Sequence, residues 1–205
     1  MVKLTGVRRS AYHLTEPAVQ LLVRTGITPN NLSWLGFSIA VGAAVLIATG
    51  HLFVAGFVVL AAGFFDMLDG ALARRTNRVT SSGAVLDSIL DRVSEAVLLL
   101  GILIFYLFFS DSRSTLGILL VCLALIGSPL TSYIRARAEA IGIECKIGLF
   151  TRPERVIVLA VGLLASPINN ALIIALAIIA TLSFVTAGQR LFYVLKQTRN
   201  QRGGG

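Results

Sequence analysis

The sequence predicts an all-α fold: a polytopic membrane protein of six transmembrane helices preceded by an N-terminal interfacial amphipathic helix. Three observations predict it. Of 205 residues 56% are hydrophobic and 14% charged, with a mean hydropathy of +0.84, whereas a soluble domain carries about 25% charged residues. The apolar residues fall into runs near the ~20 residues that a helix needs to cross about 30 Å of hydrocarbon. The basic residues collect at alternate ends of those runs, as they do when one set of loops faces the cytoplasm.

In chain order, residues 8–25 (RRSAYHLTEPAVQLLVRT) mix Arg8, Arg9, Glu16 and Arg24 with Tyr12, Leu14, Val19, Leu21, Leu22 and Val23. That mixture suits a helix lying in the interface rather than crossing it, and it is unlike a secretory signal. Thr28-Pro29-Asn30-Asn31 then starts the first span. The six spans fall at approximately 32–50, 52–72, 84–109, 114–138, 154–167 and 169–194, the fifth being short. Without an internal repeat or a second composition, residues 1–205 read as a single membrane domain, with the bundle at about 32–194.

With six spans, the termini and the connections 73–83 and 139–153 share one face. Together with the adjoining helix ends they hold all 18 Lys and Arg residues except Arg113. The positive-inside rule puts both termini and this face in the cytoplasm, in a multi-pass protein of the cell membrane. The net charge of +8 then reflects loops set against anionic lipid and not a nucleic-acid surface. Cys122 in an apolar run and Cys145 in a polar connection form neither a metal-ligand pair nor a disulfide framework. Trp34, Tyr106 and Tyr193 read as anchors at headgroup level, and His13 and His51 as interfacial.

Ionisable groups inside spans cost at least about 2.5–3.5 kcal/mol each on insertion scales, so they demand a partner or a cavity. Asp66 and Asp69, spaced i,i+3, end the second span; Asp87 and Asp91, spaced i,i+4, begin the third. Each pair occupies one helical face. Because a short loop joins the spans, they run antiparallel and bring both acidic faces to one depth. Four carboxylates there repel unless cations sit between them. Oxygen-only ligands favour Mg²⁺ or Mn²⁺, and four of them suffice to bridge two ions about 3.5–4 Å apart. Between the pairs lie Gly70 and Gly83, which let a nucleotide or backbone come close, and Arg74, whose planar fork suits phosphate oxygens. Thr80, Ser81 and Ser82 add hydroxyls. Acids for metal beside a basic loop for phosphate point to phosphoryl chemistry at the cytoplasmic interface. Glu95, a fifth acid in the third span, reads as an interhelical group.

These residues carry a resemblance. Asp66-x2-Asp69-Gly70-x2-Ala73-Arg74-x8-Gly83-x3-Asp87-x3-Asp91 matches the signature of the CDP-alcohol phosphotransferase family at all eight fixed positions. By average residue usage a chance match at a given start is on the order of 10⁻¹⁰. Length and span count resemble the family over essentially the whole chain. The resemblance implies that Asp66, Asp69, Asp87 and Asp91 are metal ligands and that Asp91 is also the general base for an acceptor hydroxyl. It implies that the CDP-lipid binds at Asp69, Gly70, Ala73, Arg74, Thr80 and Gly83, with Asn30 and Ser33 as a further nucleotide-contacting segment, and that the protein is a homodimer.

The acceptor is read from SYIRARAEAIGIECKIGLFTRPERV, where Arg135, Arg137, Lys146, Arg152 and Arg155 crowd the cytoplasmic face and Arg190 returns to it from the sixth span. A neutral acceptor needs no such charge; a phosphorylated one does. Arg-Ala-Arg-Ala-Glu at 135–139 and Arg-Pro-Glu-Arg at 152–155 resemble the actinobacterial phosphatidylinositol phosphate synthases, which join CDP-diacylglycerol to 1D-myo-inositol 3-phosphate (L-myo-inositol 1-phosphate). The resemblance implies an acceptor-phosphate pocket of Arg135, Arg155 and Arg190, with Arg152 beside them. The first of these is commonly lysine in those enzymes. Glycerol 3-phosphate as acceptor, or an archaeal ether CDP-lipid as donor, would use the same chemistry. An ion-coupled transporter is the reading from another class; the acids' place at one membrane edge and the absence of paired broken helices weigh against it.

Overall fold

A computed structural model describes residues 18–23, 25–76, 79–109 and 114–203, with side chains to residue 199. From residue 29 on, these residues form the helices α1 (Pro29–Ala48), α2 (Leu52–Arg75), α3 (Ser81–Ile104, continued by a π-helical turn at Phe105–Phe109), α4 (Thr115–Ala140), α5 (Arg152–Leu164) and α6 (Ala171–Gly203). Among the described residues all regular structure is helical.

Short hydroxyl side chains set the helix starts, because the first N–H groups of a helix lack backbone partners. Thr28 Oγ1 accepts from the Asn31 N–H at 3.3 Å, with Pro29 preset for the first turn. Thr80 accepts from Gly83 at 3.0 Å and Ser114 from Gly117 at 3.1 Å. At α5 the Glu154 carboxylate reaches back to the Thr151 N–H at 2.8 Å, the reciprocal half of a capping box.

Helix α1 packs on α2 and α3, and α4 on α6, while α5 lies between α2 and α6 and joins the two sets. The central apolar cluster draws Ile47, Val59, Leu99, Ile102, Val121, Leu163, Leu176 and Ile179 from all six helices. Lipid is as apolar as these side chains, so close packing through small residues holds the helices together. A Cβ on Gly101 would stand 2.6 Å from the Ala44 carbonyl oxygen, and one on Gly162 would stand 2.4 Å from the Ala175 Cβ.

Among the described residues five helices are long and apolar enough to cross a membrane: α1, α2, α3 with its π-helical turn, α4 and α6. The expected fifth span at 154–167 is where expectation and structure differ. Helix α5 has 13 residues and is about 20 Å long at 1.5 Å per residue, shorter than the hydrocarbon. Pro153 fixes its first turn, and Ser166-Pro167 beyond Leu164 cannot extend it. The expected interfacial helix at 8–25 lies mostly outside the described residues. Within them, residues 18–23 are helical, and Val19 is buried against Leu32, Leu68 and Leu72. Trp34 is half exposed, as an anchor would be, but Tyr106 is 5% exposed. Its ring lies 2.8 Å from where a Gly117 Cβ would stand, so Tyr106 serves packing rather than the headgroup layer.

Candidate active site

Antiparallel α2 and α3 bring the two aspartate pairs together, as their spacing requires. One carboxylate oxygen each from Asp66, Asp69 and Asp87 lies within 4.8 Å of the others, a set that could hold a metal ion. Asp69 is buried, and Asp66 and Asp87 are partly so. Helix α1 orients the buried member: Ser33 Oγ donates to Asp69 Oδ2 at 2.5 Å, while the Gly70 N–H donates to Oδ1 at 2.5 Å.

Asp91 stands outside that triad and is tied to it by an arginine. Arg152 Nη1 lies 2.6 Å from Asp66 Oδ2 and 2.5 Å from Asp91 Oδ1. The first contact is a hydrogen bond; the second is an ion pair without hydrogen-bond geometry, and buried Asp91 Oδ1 accepts no hydrogen bond. Arg152 starts the short α5, where its capping box places it against the ends of α2 and α3. Four carboxylates and one guanidinium leave the cluster strongly anionic. The all-oxygen donor set and the unbonded Asp91 oxygen fit a hard divalent cation.

Two cavities flank the acids. The first, of about 310 Å³, is lined by all eight residues expected to bind a CDP-lipid, from Asn30 and Ser33 on α1 to Gly83 on α3. Arg74 folds over Gly70 at its wall, with Nη1 3.4 Å from where a Gly70 Cβ would stand. The second, of about 210 Å³, runs along the apolar flank between α1, α2, α3 and α5, with Asp66, Asp87 and Arg152 at its polar end. Leu60, Phe64, Met67 and Ile157 line it and are also exposed on the outer surface, so it opens sideways, towards where lipid would lie.

Two of the expected basic residues, Arg155 and Arg190, converge on Thr131 of α4. Arg155, 3% exposed, donates from Nε and Nη2 to the two oxygens of Glu95 at 2.5 and 2.8 Å, and from Nη1 to Thr131 Oγ1 at 3.4 Å. Arg190 donates from Nη1 to the Thr131 carbonyl at 2.7 Å and from Nε to the Ile147 carbonyl at 2.8 Å. Arg135, one turn beyond Thr131, is exposed and paired with Glu139 at 2.8 Å. Arg152, expected beside this pocket, instead points into the acids. The buried Glu95–Arg155 pair links α3 to α5, the interhelical role expected for Glu95.

Two features of the basic cluster lie outside the sequence expectations. Thr131 is a hydroxyl one turn before Arg135, a signal the sequence carries. Gly148, at φ +140°, lets the loop before α5 close over Arg190; a Cβ there would come within 3.0 Å of its Nε and Nη2. A glycine in a basic loop hints at such an approach, but its partner is visible only in the fold.

A profile for CDP-alcohol phosphatidyltransferases matches residues 26–191. The archaetidylinositol phosphate synthase of Methanothermobacter thermautotrophicus is 35% identical over 86% of this chain and 87% of its own. The phosphatidylinositol phosphate synthase of Mycobacterium tuberculosis is 38% identical over 95% and 92%. A crystal structure of the M. tuberculosis enzyme with CDP-DAG bound superposes with a TM-score of 0.80 at 36% identity, covering 89% of this chain and 94% of that one. A second, in complex with manganese and citrate, gives 0.80 over 88% of each chain. With the profile spanning most of its length and two synthases of this kind more than a third identical to it, the chain belongs to the CDP-alcohol phosphatidyltransferase family.

Proposed function

We propose that the protein transfers the phosphatidyl group of CDP-diacylglycerol to a hydroxyl of 1D-myo-inositol 3-phosphate, giving phosphatidylinositol phosphate and CMP in phospholipid biosynthesis. The observation that carries this reading is that the parts occur together: three aspartates face one another at metal-binding separations, two of them line the cavity of the nucleotide-binding signature, and Arg155 and Arg190 meet at Thr131.

Asp66, Asp69, Asp87 and Asp91 are the residues that would hold Mg²⁺ or Mn²⁺, in two positions. When bound, the cations would neutralise the pyrophosphate and the CMP leaving group and acidify the acceptor hydroxyl. Ser33 fixes Asp69 for that task. Arg74, Asn30 and Thr80 hold the nucleotide and its phosphates, with Gly70, Ala73 and Gly83 leaving room for them. The acyl tails stay on the apolar flank, in the laterally open cavity. Arg135 and Arg190 offer donors to the acceptor phosphate, and Arg155, tied to Glu95 and Thr131, would reach it by giving up its long contact to Thr131. Asp91, with an oxygen that accepts no hydrogen bond, takes the proton as the acceptor oxygen bonds to the β-phosphorus and the bond to CMP breaks. The basic residues at this end of the bundle support a cytoplasmic site in the cell membrane, and the family resemblance supports a homodimer.

A second donor is favoured by one observation: the archaeal relative is named for an ether lipid, so an ether CDP-lipid belongs in the test. CMP release by purified protein should require a divalent cation and inositol phosphate, and should be lost in Asp87→Asn and Asp91→Asn. Release with glycerol 3-phosphate in place of inositol phosphate would keep the chemistry and overturn the acceptor.

A further inference from the structure

The four aspartates are not equivalent. Asp66, Asp69 and Asp87 already face one another at metal-binding separations, whereas Asp91 reaches Asp66 only through Arg152 Nη1, within 2.6 Å of both. Arg152 therefore stands where a cation shared by Asp66 and Asp91 would have to stand. Its neighbours in the basic cluster are engaged elsewhere: Arg155 is committed to Glu95 and Thr131, and Arg190 to two backbone carbonyls. Charge makes the two occupants mutually exclusive. Four ionised carboxylates with one divalent ion and Arg152 carry a net charge of −1. A second divalent ion beside Arg152 would bring the cluster to +1, with the like charges in near contact.

We infer that Arg152 is the resident counter-cation of the second metal position, and that the second ion binds by displacing it. The inference rests on the two-metal reading above. It divides the site into a preformed position at Asp66, Asp69 and Asp87 and a gated one at Asp66 and Asp91. Arg152 thus acts on the site as a positioning residue: it holds Asp66 and Asp91 together before the second ion arrives.

Mn²⁺ binding to the purified full chain, followed by electron paramagnetic resonance and by the metal dependence of the melting temperature, tests this without turnover. The wild type should bind two ions in a tighter and a weaker class. Arg152→Ala should tighten the weaker class by about tenfold or more and leave the stronger within about threefold, with Arg152→Lys in between. Metal-free Arg152→Ala should melt below metal-free wild type, and saturating Mn²⁺ should close that gap. A purely packing role for Arg152 would leave the gap open and overturn the inference. Equal or weaker second-site affinity in Arg152→Ala would overturn it too, while leaving the proposed reaction standing. Wild-type protein that binds no Mn²⁺, or a single ion, would overturn the inference together with the two-metal reading.

Discussion

The ion pair between Glu95 and Arg155 gives the most direct test of how α3 and α5 are held together. Arg155 is 3% exposed and the Glu95 side chain 11%, so truncating Glu95 to alanine leaves a guanidinium in the bundle with only the 3.4 Å contact to Thr131. Removing one partner of a buried pair costs about 3–5 kcal/mol, mostly the penalty of the charge left behind. Interhelical polar contacts in membranes fall below such values, so about 3 kcal/mol is the expected loss. For a chain of this size each kcal/mol lowers the melting temperature by about 2–4 °C, giving a fall of about 6–12 °C. Thermal unfolding in one fixed detergent measures it, with Glu95→Gln, which keeps one acceptor oxygen, falling between. The double variant Glu95→Ala/Arg155→Ala should lose less than the two single losses combined, by about 1 kcal/mol or more. A Glu95→Ala protein melting within about 2 °C of wild type would refute the claim that this pair braces α3 against α5.

Other substitutions probe other contacts. Ser33→Ala removes the 2.5 Å bond to Asp69 and should weaken metal affinity by about tenfold, the lower end for lost outer-shell partners, measured by calorimetric titration with Mn²⁺. Gly101→Ala drives a methyl to 2.6 Å from the Ala44 carbonyl oxygen. It should cost about 1–3 kcal/mol by forcing α1 and α3 apart, read as a lower melting temperature. Gly148→Ala should raise KM for the inositol phosphate by about tenfold, a shift of about 1.4 kcal/mol, with KM for the CDP-lipid unchanged. The added methyl displaces Arg190 and touches nothing in the nucleotide cavity.

The parts set by local spacing were legible in the sequence. The i,i+3 and i,i+4 aspartates on two consecutive helices had to meet, and Gly70, Arg74 and Gly83 between them had to line whatever the acids faced. Residues whose partners lie far along the chain were harder to place. Arg152 and Arg155 are three apart on one short helix and look alike as members of a basic run. Yet the first turn of α5 aims Arg152 at Asp66, 86 positions away, and Arg155 at Glu95, 60 away. Charge alone groups them; only the seating of α5 beside α2, from which its side chains reach α3, tells which faces the acids. The short α5 was blurred for a related reason. Hydropathy continues through Ala165 and Ile168, and the backbone breaks between them at Ser166-Pro167. Tyr106 reads as an interfacial anchor by composition and is buried because Gly117 leaves room for its ring.

In the proposed reaction this site joins a CDP-lipid to an acceptor that keeps its own phosphate. The mass spectrum of the lipid formed from CDP-diacylglycerol, Mn²⁺ and inositol phosphate carrying heavy oxygen on its phosphate reads this directly. The product should be a phosphatidylinositol phosphate that retains the label, formed in step with CMP and absent in Asp91→Asn. An unlabelled lipid product, or CMP released equally well with free inositol or serine, would contradict it.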